Sequence, residues 1–404
     1  MTVSKERVEA PQGYLPLKPL NHVISSCPPS GIRRFFDIAA SMEGVISLGV
    51  GEPDFVTPAV IREEGIRSLQ QGHTGYTGNS GLPALRESIC RDIEGRYRVS
   101  YNPDTECLIT VGVSEALDLA LRVLINPGDE IIIPEPCYVS YIPCVQFAGG
   151  NPVLVRTEST DNFRLHAETV EELITPHTKA ILVASPANPT GATQSKEDLQ
   201  RIVNLAVKYN LYIISDEIYG RLIYDGESFC TASLHGARER TLTLNGFSKS
   251  HAMTGWRVGY ACGPEPALRL MVRVHQYTML CASRMAQEAA IVAIESADGD
   301  VDTMASDYNR RRLMFVEGLN RIGLTCPLPQ GAFYAFPSIR SSGLSSEEFA
   351  ERLLLEQKVA VVPGNAFGPS GEGYIRCCYA TATPKLEEAL LRMESFLKGL
   401  NPCS

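Results

Sequence analysis

The chain has 404 residues, 44% of them hydrophobic and 21% charged, a balance that suits a folded protein of two domains and excludes wholesale disorder. Lysine and arginine number 37 against 46 acidic residues, and the resulting charge of −9 disfavours a nucleic-acid-binding or anionic-membrane surface. No apolar run approaches the roughly 20 residues that span a bilayer, and the charged, proline-broken start lacks the apolar stretch of a secretory leader, so a cytoplasmic protein is expected.

Residues 108–111 form a short apolar, β-branched run, followed by helical spacing over 116–125. Strands are predicted at 130–133, 153–156 and 180–184. Ser195 opens a helix in the pattern of a capping box, with Asp198 three residues on and Leu199, Ile202, Val203, Leu205 and Ala206 mostly on one face. Further strands are predicted at 211–215, 241–245 and 256–261. Continuous apolar strands alternating with helices imply a parallel sheet covered on both faces, with ligands at the carboxyl ends of its strands. After about residue 297 the pattern changes to a long helix (301–322), a segment at 331–336, a helix from Ser345, strands at 359–362 and 374–378, and a helix over 384–397. Pro384 suits the first position of that last helix and Gly399 a place just past its end. The expected division is an N-terminal arm (1–53) packing with the small domain or a partner subunit, a large α/β domain (54–297) and a smaller α+β domain (298–404). Twelve scattered cysteines without a C-x-x-C pair are expected to be buried free thiols, with no metal site.

The residues with chemical potential follow the strand ends. In Asn245-Gly-Phe-Ser248-Lys249 a strand gives way to small residues and a lysine, with Arg257 eight residues further on. A lone lysine there is ordinarily a solvated loop residue. Ser248 and Arg257 beside it can instead clamp the phosphate of a cofactor that Lys249 binds covalently, which requires a desolvated, nucleophilic amine. Asn188, in Ser185-Pro-Ala-Asn188-Pro-Thr-Gly191, can donate to a phenolate-like oxygen and is neutral at every working pH. Asp216 ends a buried strand, where a carboxylate is costly unless it caps a helix or meets a cation such as a protonated heterocyclic nitrogen. Tyr219 can donate to the same oxygen as Asn188. Val113 and Ser114 lie in a strand-to-helix turn whose free N–H groups suit an anion. Tyr138 can stack on a planar ring. Arg376, between Ile375 and Cys377, sits in an apolar strand and has the fork geometry for a substrate carboxylate.

These motifs in this order resemble the class I aminotransferases of pyridoxal 5′-phosphate (PLP) fold type I. Gly51-Glu-Pro-Asp-Phe, Tyr76-Thr-Gly-Asn-Ser-Gly81-Leu-Pro, Gly331-Ala-Phe-Tyr and Val362-Pro-Gly-Asn-Ala-Phe-Gly extend the likeness over nearly the whole chain. The resemblance implies a large domain with a mostly parallel seven-stranded sheet sandwiched by helices, plus the smaller α+β domain. It implies Lys249 as Schiff-base lysine and general base, Asp216 at the pyridinium nitrogen, and Asn188 and Tyr219 at the ring oxygen. Val113, Ser114, Ser248 and Arg257 would hold the phosphate. Tyr138 would stack on the ring, where many relatives have Trp. Arg376 would bind the substrate α-carboxylate, helped by Asn188 and the Gly51 backbone. Tyr76 would reach the phosphate of the neighbouring subunit in a homodimer with shared active sites.

The implied reaction is ping-pong transamination between an L-amino acid and a 2-oxo acid, through pyridoxamine phosphate. Phe36-Asp-Ile-Ala-Ala, Thr243-Leu-Asn-Gly-Phe-Ser-Lys249, Val274-His-Gln-Tyr and Gly371-Glu-Gly-Tyr-Ile-Arg376 are most similar to aromatic amino acid and N-acetyl-diaminopimelate aminotransferases. Some aspartate-specific relatives carry lysine where Ser114 stands, though Arg33 or Arg34 could serve a second carboxylate. The expectation is therefore an aromatic or other large donor, with 2-oxoglutarate as acceptor. Aspartate or N-acetyl-diaminopimelate transamination and a C–S lyase on the same fold are the alternatives. A PLP-binding regulator is disfavoured, because the proline-broken residues before Gly51 lack the helices of a helix-turn-helix domain.

Overall fold

The computed structural model describes residues 17–27 and 42–400. Arg33, Arg34 and the Phe36-Asp-Ile-Ala-Ala motif lie outside them. Twelve strands organise the described chain: β1 (Ile46–Ser47), β2 (Cys107–Thr110), β3 (Glu130–Glu135), β4 (Asn151–Arg156), β5 (Thr178–Ala184), β6 (Tyr212–Asp216), β7 (Thr241–Gly246), β8 (Gly259–Cys262), β9 (Tyr334–Ala335), β10 (Val359–Ala360), β11 (Val362–Pro363) and β12 (Ile375–Cys378). Seven of them form the main sheet in the order β2-β8-β7-β6-β5-β3-β4, and the architecture is α/β.

Alternation along these strands explains why helices cover both faces. Ile131 and Ile133 join Leu182, Ile214 and Leu244 in one core, beneath the helices Gly112–Leu124 and Glu265–Thr278. Ile132 joins Ile181, Val183 and Ile213 in another, covered by Lys196–Lys208. Leu199, Ile202, Val203, Leu205 and Ala206 are the buried stripe of that helix, as its spacing predicts. Each large member contributes about 1.5–3 kcal/mol on burial. Its cap differs in detail from a capping box. Ser195 Oγ accepts from Asp198 N at 3.0 Å, but the Asp198 carboxylate turns to the Ser195 hydroxyl and Arg164 rather than to backbone.

All strands of this sheet run the same way except β8, which is antiparallel to both β2 and β7. That strand starts at Gly259, later than its apolar pattern suggests, because residues 254–256 form a 3-10 turn and Arg257 adopts φ +52°. The helices Ala59–Gln70, Pro83–Tyr97, Glu265–Thr278 and Arg284–Ser296 complete the large body and were not among the predicted elements.

A second core spans the C-terminal part. Phe315 and Leu319 of helix Asp298–Arg321 pack with Phe349, Leu353 and Phe396 of helices Ser346–Gln357 and Thr383–Leu400. Gly399 lies inside the last helix instead of beyond it. The run at 359–362 divides: β10 pairs in parallel with β1, while β11 joins the antiparallel sheet β11-β12-β9. Ile46 and Leu48 thereby enter the C-terminal core, and Cys378 N donates to Leu48 O at 2.7 Å. This pairing delivers Gly49 and Gly51 beside β12.

Candidate active site

Parallel pairing puts Ala184 of β5 level with Asp216 of β6, and Asp216 level with Leu244 of β7. The residues after these strand ends therefore converge. They line a cavity of about 530 Å³ that also receives Gly51, Tyr334 and Arg376 from the C-terminal side. Among the described residues, every cofactor- or substrate-site candidate singled out in the sequence lines it, namely Gly51, Val113, Ser114, Tyr138, Asn188, Asp216, Tyr219, Ser248, Lys249, Arg257 and Arg376, except Tyr76. Tyr76 is 82% exposed, at the surface.

Lys249 Nζ donates to Gly51 O at 2.6 Å and lies 5.9 Å from the Phe333 ring centroid. Desolvation, reinforced by the positive charges of Arg376 and Arg257, brings its pKa down from 10.5 to about 8. Roughly a tenth of this lysine is thus a free amine at pH 7, far more than for an ordinary lysine, and that is the form a nucleophile or a general base requires.

Asp216 is buried and its partners are neutral donors: the Tyr141 hydroxyl at 2.7 Å and Ile218 N at 3.2 Å. Burial outweighs both and pushes the carboxyl above the ordinary range. No helix begins here, so the capping role fails; the bond to Ile218 N closes a turn instead. A buried carboxyl so displaced regains its charge when a cation comes to it, which suits a protonated ring nitrogen.

Arg376 is 3% exposed. Its Nη1 donates to Asn188 Oδ1 at 2.9 Å and its Nη2 to Gly49 O at 2.6 Å. The guanidinium lies 4.6 Å from the Tyr334 ring centroid and 4.9 Å from that of Phe367. Packed between aromatic faces, the fork is fixed before any carboxylate arrives. Arg376 thereby occupies the amide oxygen of Asn188 and leaves the NH₂ group available as a donor.

At the other end, the 111–114 turn opens the helix Gly112–Leu124. Gly112 has φ +72°, and a Cβ there would collide with the Arg257 guanidinium, so glycine allows that close approach. Ser114 and Arg257 are exposed into the cavity and Ser248 is buried beside it. Exposed N–H groups, two hydroxyls and a guanidinium make an anion site.

Two tyrosines of this cavity have no role assigned from the sequence. Tyr141 falls in the same turn as Tyr138, and the ring pair is edge-to-face at 5.5 Å. Tyr334 ends the Gly331-Ala-Phe-Tyr motif, and its hydroxyl is 2.7 Å from that of Tyr219. Their hydroxyl partners, Asp216 and Tyr219, lie far off in the sequence, and no local spacing reports those bonds.

The family model described as "Aminotransferase class I and II" matches residues 43–393. "Putative aminotransferase YugH" of Bacillus subtilis is 54% identical, covering 94% of this chain and 98% of that protein. "Aspartate aminotransferase" of Pyrococcus abyssi is 46% identical over 92% of this chain and 96% of its own. The crystal structure of an aromatic aminotransferase from Pyrococcus horikoshii superposes with a TM-score of 0.87 at 43% identity, covering 91% of this chain and 99% of that one. With a lysine, a displaced carboxyl and a caged arginine converging on one cavity, and with matches over almost its full length, the chain belongs to the class I and II aminotransferases.

Proposed function

We propose that this enzyme moves the amino group of an L-amino acid with an aromatic or other large side chain onto a 2-oxo acid such as 2-oxoglutarate, the two substrates alternating in ping-pong order. Class I and II aminotransferases depend on PLP, and the cavity residues fit it. Lys249 would tether it, Asp216 would face its ring nitrogen, and Asn188 and Tyr219 would hold its ring oxygen. Val113, Ser114, Ser248 and Arg257 would hold its phosphate and Tyr138 its ring face. When bound, the cofactor supplies an electron sink for negative charge developing at the substrate Cα. Arg376, with Asn188 and Gly51 alongside, orients the α-carboxylate, and the free amine of Lys249 takes the Cα proton. Tyr76, exposed and outside its own cavity, would complete the phosphate site of a second copy in a homodimer.

The observation behind the donor class is the charge of the cavity wall. Among the described residues lining it, the cationic side chains are Lys249, Arg257 and Arg376, each with a role already, and the remainder includes Tyr138, Val139, Ile218 and Tyr334. Position 114 is a serine. Such a wall suits a donor with an apolar or aromatic side chain. The test is a donor screen of the PLP-loaded enzyme with 2-oxoglutarate, reading the 2-oxo acid formed. Tyrosine and phenylalanine are expected to lead, and turnover with aspartate alone would overturn the proposal. Pyruvate and ammonia released from cysteine-type donors without net transamination would favour a lyase.

A further inference from the structure

Glu115 and His275 are a buried acid–imidazole pair outside the cavity. Glu115 is in the first turn of helix Gly112–Leu124, one residue beyond Ser114, and His275 is in the last turn of helix Glu265–Thr278. Neither lines the site. His275 is 0% exposed and Glu115 8%.

The two carboxylate oxygens have different tasks. One accepts from Val111 N at 2.6 Å, while the other is 2.6 Å from His275 Nδ1. A carboxylate only accepts, so the imidazole donates. Among the described residues, His275 Nε2 has no partner, which leaves Glu115 as the one polar contact of this side chain. The backbone of the 111–114 turn is thus held from two directions: Glu115 fixes the N–H of Val111, and the Thr110 hydroxyl donates to Gly112 O at 2.9 Å.

Charge makes the arrangement matter for an anion. A carboxylate in a first helical turn stabilises an empty helix N-terminus but opposes a phosphate that binds there. A hydrogen bond from His275 draws that negative charge away from the turn and fixes the carboxylate in the rotamer that orders Val111. Without His275 the carboxylate is left buried and half-satisfied, a costly state that it relieves by moving.

We propose that Glu115 and His275 are a positioning pair for the phosphate-binding turn, acting on cofactor affinity through the phosphate alone. This rests on the phosphate assignment made above. The test titrates the cofactor-stripped full-length chain with PLP and with pyridoxal, which lacks the phosphate, and follows absorbance to equilibrium. His275→Leu is expected to weaken PLP by about tenfold, the worth of roughly one charge-assisted hydrogen bond, and to leave pyridoxal affinity unchanged. His275→Asn places an amide N–H near the position of Nδ1 and is expected to restore PLP binding. Should His275→Leu fail to fold, His275→Phe, which keeps a ring in place but carries no donor to Glu115, supplies the same comparison. Equal losses for both ligands, or no loss for either, would mean that the pair merely supports the fold and would overturn the inference. A wild-type chain that does not prefer PLP to pyridoxal would overturn the phosphate assignment along with it.

Discussion

The hydroxyl of Tyr141 donates to Oδ2 of Asp216 at 2.7 Å, in surroundings where burial alone drives that carboxyl upward. Tyr141 is itself buried and packs edge-to-face on Tyr138, which holds the donor in place. The bond works against desolvation and favours the charged carboxylate that a ring cation needs.

Replacing Tyr141 by Phe removes that donor while keeping the ring. The carboxyl then rises further, and a larger share is neutral at a given pH. The acidic limb of the kcat/KM profile should move to higher pH, with about a tenfold loss at neutrality, the scale of one hydrogen bond to a charged group. An unchanged acidic limb in a pH–rate series would dissociate Tyr141 from the chemistry.

Lys249 links chemistry to stability. Its pKa is about 8 in the folded chain against 10.5 ordinarily. Between those values the unfolded chain binds more protons, so the contribution of Lys249 to stability rises with pH there and is most unfavourable below about 8. Lys249→Met should abolish transamination yet stabilise the cofactor-free protein at pH 7, by about 1–3 kcal/mol. That advantage should shrink toward pH 10. Urea unfolding of both cofactor-free proteins at the two pH values measures it, and a constant difference would contradict the assigned shift.

For Arg376 the geometry matters more than the charge. Its fork is set by Asn188 and Gly49 and flanked by Tyr334 and Phe367. Arg376→Lys keeps the charge but loses the bidentate reach and the stacking. A drop in kcat/KM of roughly a hundredfold for every donor is expected, with the absorbance of the bound cofactor unaltered. Steady-state kinetics across several amino acids would reveal a donor-specific effect, which would place Arg376 at the side chain instead.

The strand ends were readable because chemistry and fold coincide there: Asp216, Lys249 and Asn188 each stand at or just past a short β-prone run, and these strands pack side by side. Strand direction was not readable in β8. Gly259–Cys262 is as fully buried as its parallel neighbours, so its pattern carries no sign of its reversal. The helix Pro83–Tyr97 is not legible in the sequence although Pro83 is its first residue, because Arg86 and Ser88 stand among Leu85, Ile89, Cys90 and Ile93 on its buried face. Part of that polarity is satisfied only in three dimensions, as where Arg86 meets Asp104. Tyr141, Tyr334 and the Glu115–His275 pair belong to the same class: their partners lie between 75 and 160 residues away, beyond any local spacing.

Tyr76 is the one residue of the inferred site that its own subunit leaves outside the cavity, and at 82% exposure it has the freedom to serve another. If two copies share their sites, each complete site takes Lys249 from one subunit and Tyr76 from the other. A Lys249→Ala chain is then inactive, and a Tyr76→Ala chain is weakened in its hold on the cofactor. Refolded together, the two variants form some hybrid dimers in which one site carries both substitutions and the other carries neither. Random pairing of equal amounts should restore roughly a quarter of wild-type activity, because half the dimers are hybrids with one intact site each. If the mixture gives no more than the sum of the separate variants, each subunit works alone and Tyr76 has no part in its neighbour's site.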